Sequence, residues 1–292
     1  MTKRLRALRE LLLTAPSFGW LVALFVVPTL VVFAIAFKPA DMLGGIGPGW
    51  TLETWRHLGN PNYPAIIWRT IWLSAATTVL CVLLAVPAGY YMARAPQRWR
   101  QPLMLLVVVP FWTSFLVRVF AWKTLLHPDG MVKRLLVAAR LVGEDTSLLY
   151  QPETVLLVLV YTYLPFAILP VYAAAEKFDF SLMEAAEDLG APRFQAFVAV
   201  FLPGIRRGLL TAVAMVLIPA LGSYVIPEIM GGTNSEMIGN KIAQRTFVDR
   251  NLPHASALAT LLTLAVLLPL ALYPLFASPS GVRGTVAKRE GS

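Results

Sequence analysis

Six long apolar segments, at about 17 to 37, 66 to 92, 102 to 125, 154 to 175, 207 to 230 and 254 to 277, constrain this chain more than any other feature. Each approaches or exceeds the roughly 20 residues that an α-helix needs to cross the hydrocarbon of a bilayer. A backbone in that medium finds no water to bond, so it must satisfy its polar groups internally. The expectation is an all-α integral membrane domain of six transmembrane helices over 17–277. It is preceded by a segment at 1–16 and followed by a tail at 278–292. Composition agrees: 57% of the 292 residues are hydrophobic and only 14% are charged, where a soluble domain carries about 25%. A disordered chain, a disulfide scaffold and a small soluble enzyme are excluded.

The net charge of +9 suggests nucleic acid in a soluble protein, but here it reports orientation. If both termini share a side, the basic residues of that side are Lys3, Arg4, Arg6 and Arg9; Arg94, Arg98 and Arg100; Lys177, Arg193, Arg206 and Arg207; and Arg283, Lys288 and Arg289. The other side has eight cations, matched by eight acids, and Arg69, Arg118 and Lys123 fall within helices. Fourteen against eight places both termini in the cytoplasm by the positive-inside rule. Nucleic acid is therefore not an expected partner, and membrane lipid is. Within Thr2 to Pro16, leucines at helical spacing alternate with cations, as in an amphipathic helix resting at the interface. A cleaved signal is the alternative, with Ala34-Ile35-Ala36 as a small-x-small site, but the apolar run before it is longer than a signal core and contains Pro28.

Prolines interrupt nearly every span (Pro28, Pro87, Pro110, Pro165, Pro170, Pro219, Pro227 and Pro274). Each removes a backbone hydrogen bond and tends to kink its helix, which suits a protein that moves or lines a path; Pro is also commoner in membrane helices generally. The single cysteine, Cys81, reads as a small buried hydrophobe, and His57, His127 and His254 lack metal-ligand spacing. No Lys follows a Gly, so the G-K-[ST] core of a phosphate-binding loop is absent. No cofactor is expected in this chain, and ATP-driven work would fall to another subunit.

The connection between the fourth and fifth apolar segments (176–205) is unusual in running acidic on the basic side. Ser181 followed by Glu184 reads as a capping box, and Gly190 then Pro192 as a stop, predicting a helix of about two turns with fixed ends. A second helical stretch follows from Arg193 to Phe201. The small Ala185 and Ala186 would let a partner's groove close around the turn; a solvated connector is the plainer reading.

Glu184-Ala185-Ala186, then Gly190, then Val200-Phe201-Leu202-Pro203 resembles the EAA motif of ATP-binding-cassette importer permeases, E-A-A-x3-G-x9-I-x-L-P, with Val200 in place of Ile. The resemblance implies the type I importer transmembrane fold and a coupling helix that docks on an ATPase subunit. It implies that Glu184, Ala185, Ala186 and Gly190 couple, with Leu189, Leu202 and Pro203 beside them. The implied partners are a second homologous permease, an ATPase dimer holding ATP and Mg, and an external solute-binding protein at the bacterial inner membrane. Val109 to Trp122, Leu221 to Gly232 and Met237-Ile-Gly-Asn are similar to the spermidine/putrescine branch, which also contains importers of other small charged solutes.

Glu228 is the only acid within an apolar segment, a functional position by default in a membrane. A polyamine would gain from its carboxylate and from the aromatic faces of Trp112, Tyr161, Tyr163 and Tyr224. The alternative is that Glu228 lies at the interface and caps or pairs locally, for instance with Arg118. Arg69, Arg118 and Lys123 either snorkel outward, pair with acids or repel a cation. Trp20, Trp50, Trp68, Trp72 and Trp99 read as interface anchors. The amphipathic segment Ser235 to Arg250 would either support a binding protein or pack back on the helices. Two other classes remain: an ion-gradient-driven transporter, which would be expected to show intramembrane acids and inverted repeats, and a scaffold that only recruits partners.

Overall fold

The computed structural model describes residues 13–41, 44–59 and 61–276. The amphipathic segment, apart from its last residues, and the tail at 278–292 lie outside the described residues. Apart from one antiparallel bridge between Ala40 and Ile46, the regular structure among those described is helical. Four helices are long and apolar enough to cross a membrane alone: α1 (Leu13–Ile35), α2 (Asn62–Arg94), α6 (Pro152–Glu176) and α12 (Leu252–Phe276). Two bent pairs reach that length together, α3 (Gln97–Trp112) with the stretch Phe115–Ala138, and α8 (Arg193–Gly204) with α9 (Arg206–Leu221). The described residues therefore supply four to six spans.

The expected third span is broken. Pro110 has no N–H to continue the ladder, Val109–Trp112 tightens into a 3-10 turn, and Thr113 and Ser114 become extended. The Thr113 hydroxyl donates to the Pro110 carbonyl at 2.8 Å, and α4 (Phe115–Leu126) and α5 (Met131–Ala138) continue after an 89° bend. The expected fifth span also ends early: α9 stops at Leu221, and Glu228 lies on a separate short helix, α10 (Val225–Met230). In contrast, α2 and α6 continue as helix past Pro87, Pro165 and Pro170.

The chain forms two compact units. In one, α1 packs on α12. In the other, residues 56–251, the core is a three-helix contact of α2, α6 and α9. Its helices approach closely because small residues line the seam. A Cβ on Gly89 would stand 2.8 Å from Val171 Cγ1, and one on Gly208 would stand 2.4 Å from Ala174 Cβ and 2.9 Å from the Pro170 carbonyl. Ala85, Ala167, Ala175, Ala212 and Ala220 are buried, while Leu80, Leu83, Leu84 and Leu210 face outward. Small inside and large outside is the arrangement expected where lipid tails are as apolar as leucine and association comes from close packing.

Candidate functional site

The acidic connection folds as α7 (Ser181–Asp188), eight residues long. Its start differs from the expected capping box. Ser181 is already helical and makes no side-chain cap; the cap is Asp179, whose Oδ1 accepts the Ser181 N–H at 3.0 Å. The Ser181 hydroxyl first, and the Ser181 N–H after it, hold the exposed Asp179 carboxyl below the usual carboxylate range. The cap thus lies two residues earlier than expected, between Phe178 and Phe180, which pack on the aromatic core. At the other end, the Gly190 N–H donates to the Glu187 carbonyl at 2.9 Å and the Ala191 N–H to the Ala186 carbonyl at 3.0 Å, the paired bonds of a Schellman closure. Gly190 has φ +92°, and nothing lies within 4 Å of a Cβ built there. The glycine is needed for its backbone angle and not for space.

Beneath α7 lies an aromatic clamp. Tyr90 near the end of α2 meets Phe180, Phe197 and Phe201 edge-on, with centroids at 5.9, 5.3 and 5.0 Å. Phe178 meets Phe180 and Phe201 at 5.4 and 5.3 Å, and Phe201 is fully buried. The Arg94 guanidinium stands over both Tyr90 and Phe180 and donates to the Tyr90 hydroxyl at 2.8 Å. A Cβ on Gly204 would press on the Phe178 ring at 2.4 Å. α7 is therefore fastened to the end of α2.

The outer surface of this loop carries large apolar side chains among its exposed charges. Glu184 and Ala185 are exposed, Ala186 is half-buried, and Met183 points into the core. Leu189 is 89% exposed and Phe194 79%, with Leu182 also uncovered. Leu202 is half-buried on the aromatic core, and Pro203 lies beside the 71° bend from α8 into α9. Those two expected coupling residues therefore stand at the joint behind the exposed face. Glu187 reaches Arg193 at 3.7 Å, a surface pair that contributes little.

At the other end of the same unit, Tyr224 and Glu228 line a cavity of about 480 Å³ with Glu236, Asn240, Ala243, Gln244, Phe247 and Val248. Glu228 does not show the suggested pairing with Arg118. Its Oε2 accepts the Asn240 amide at 2.7 Å, and the same amide donates to the Tyr224 carbonyl at 3.1 Å. Arg118 instead lies over the Phe111 ring at 4.7 Å. Trp112, Tyr161 and Tyr163 are not among the cavity's lining residues. Trp112 is exposed at the break after α3, Tyr161 packs against Trp122 at 5.3 Å, and the Tyr163 hydroxyl donates to the Pro219 carbonyl at 3.2 Å. The expected aromatic set therefore does not converge within this chain. The segment Ser235 to Arg250 forms α11 (Ile238–Ala243) and a wider turn to Val248, packed on α2 and α10.

Residues 85–278 match the family described as binding-protein-dependent transport system inner membrane component. This chain belongs to that family. It is 34% identical over 256 residues to the spermidine/putrescine transport system permease protein PotB of Haemophilus influenzae, covering 88% of this chain and 90% of the relative. It is 30% identical to PotB of Escherichia coli K12 over 87% and 93% of the two chains. It is also 32% identical to the inner membrane permease YdcU of the same organism over 82% and 79%. In three dimensions it resembles a chain of a bacterial transporter that imports the polysaccharide alginate, with a TM-score of 0.71, 19% identity and coverage of 96% and 100%. That likeness shows the fold. The chain is a permease subunit of an ATP-binding-cassette importer.

For such a permease the sequence motif located the exposed turn and its closing glycine. It missed Asp179, Tyr90, Arg94 and the phenylalanines that hold the turn in place. The spacing Phe197-x3-Phe201, one helical turn apart, was the available signal, since it puts both rings on one side of the segment.

Proposed function

We propose that this chain forms one half of the translocation path of a polyamine importer and receives the stroke of an ATPase dimer through α7. In this reading each bent helix pair crosses the membrane once, giving six spans with both termini cytoplasmic, and α7 lies on the cytoplasmic face. The observation that carries it is the exposed apolar surface formed by Leu182 on α7, Leu189 just after its end and Phe194 at the start of α8, around a short helix fixed at both ends. A solvated connector has no reason to present leucine and phenylalanine there, whereas a surface buried by a partner does. ATP and Mg bind the ATPase, a second permease completes the path, and an external binding protein delivers the solute. The PotB relatives support spermidine or putrescine as that solute. Glu228, with Tyr224 beside it, supports recognition of an ammonium group, through ion pairing and the ring face.

The chain contains one cysteine, Cys81, which is buried. Leu189→Cys therefore introduces a single accessible thiol. In the assembled complex that thiol should cross-link to the ATPase subunit, and Leu189→Glu with Phe194→Glu should abolish co-purification of the ATPase. Retention of the ATPase by the double glutamate variant would refute docking through this surface.

A further inference from the structure

Beside the cavity of Glu228 lies a second one of opposite character, about 240 Å³ in volume, lined by Tyr63, Ala65, Ile66 and Arg69 of α2 and by Glu236, Lys241 and Arg245. The two share Glu236, and beyond it the residues of 240–248 divide between them. Asn240 and Gln244 line the acidic cavity, and Lys241 and Arg245, each one residue on, line the basic one.

The charges of this second cavity do not balance. Lys241 is paired with Glu236 at 2.8 Å, and Arg245 with Asp249 at 2.8 Å, while Arg245 also points at the Tyr63 hydroxyl at 3.5 Å. The third cation, Arg69, is held by the Thr233 carbonyl at 2.6 Å, a neutral acceptor. Three cations thus face two carboxylates. In addition, Arg245 Nε is buried without a hydrogen-bond partner, a donor that costs free energy unless something accepts from it. The cavity also sits at the start of the 33-residue α2, whose first turn has no acidic residue; the helix dipole there favours a negative group.

What flanks the cavity narrows the ligand. At 100° per residue, Trp68 and Trp72 project from α2 next to the sector that carries Ala65 and Arg69. Both tryptophans are more than half exposed, and Ile71 near them is exposed as well. Exposed tryptophans one turn apart on a membrane helix mark the headgroup level. A basic pocket at that level, beside an apolar helix face, matches a phosphodiester whose acyl chains lie along α2.

We infer that this cavity binds the headgroup phosphate of an anionic phospholipid, which supplies the missing negative charge and accepts from Arg69 and Arg245. The inference concerns a site apart from α7 and requires only that the chain be embedded in a membrane.

The test is native mass spectrometry of the assembled complex released from bilayers containing equal phosphatidylglycerol and phosphatidylcholine. Wild type should retain phosphatidylglycerol preferentially, and Arg69→Gln with Arg245→Gln should reduce that preference about tenfold, the effect of losing charge-assisted contacts. Ala65→Glu provides an independent arm. Ala65 is exposed in the first turn of α2, where an acid is compatible with the helix, and its carboxylate should replace the lipid's charge and abolish the preference with the fold intact. Equal retention of the two lipids by wild type, or a preference unchanged in Ala65→Glu, would overturn the inference. Displacement of the lipid by millimolar inorganic phosphate would overturn it too, by showing a site for a free anion.

Discussion

Replacing Gly190 separates backbone geometry from bulk at the turn that closes α7. The residue holds φ at +92° with open space around it, so a new side chain clashes with nothing and acts only through the left-handed conformation. For an ordinary L-residue that conformation costs about 1–2 kcal/mol, a factor of roughly 5–30 in the population of the closed turn. The bonds at risk are those from Gly190 to Glu187 and from Ala191 to Ala186. The expected order of function is Gly, then Asn, which tolerates this region best among the others, then Ala, then Val. Hydrogen exchange at 186–191 should rise in that order while α2 and α6 remain protected. ATP-driven uptake in proteoliposomes should fall in the same order. If Gly190→Val matched wild type in exchange and uptake, or if Asn were as damaging as Val, the argument from backbone angle would be wrong.

Other perturbations test the remaining parts. Gly208→Ala should destabilise the core through its 2.4 Å approach to Ala174, by about 1–3 kcal/mol as for overpacking; Ala174→Gly should restore part of the loss in thermal melting. Phe201→Ala should cost about 3–5 kcal/mol and release α7 from α2, read as loss of coupled uptake before loss of the helical signal. Glu228→Gln keeps an acceptor for the Asn240 amide but removes the charge, so uptake of a dication should fall while ATPase co-purification is unchanged. The Asp179 carboxyl is held below its ordinary range by accepting from Ser181. Its cap should therefore be fully formed from neutral pH down to the ordinary carboxylate range and lost only below it. Exchange at Ser181 should show that acid limb, and Asp179→Ala should abolish it.

Periodicity and length made the unbroken helices readable, because a 20-residue apolar run in a membrane admits one local solution. The same reasoning failed at Pro110 and at Gly222 to Tyr224. There, apolar composition continues while the backbone turns, and hydropathy carries no information about direction. Pro87, Pro165 and Pro170 show why proline alone could not have located the breaks: they lie inside continuous helices. In α7 the motif fixed Gly190, whose requirement is local. The cap read at Ser181 lies instead at Asp179, next to Phe178 and Phe180, whose packing involves Tyr90 from a helix some 90 residues earlier, a contact that spacing does not reveal. Glu228 was legible as an unusual acid, but its partner Asn240 belongs to a segment whose fold back onto α10 has no signature in spacing.

The proposed entry of ATP-driven work through α7 is tested most directly by one reconstitution. The permease pair, the ATPase and the loaded binding protein are placed in proteoliposomes, and uptake of labelled putrescine or spermidine is followed in two conditions. One has ATP and no ion gradient; the other has a maintained gradient and no ATP. Uptake only with ATP, abolished by Leu189→Glu with Phe194→Glu, is the predicted result. Uptake driven by the gradient without ATP, and indifferent to that variant, would contradict it.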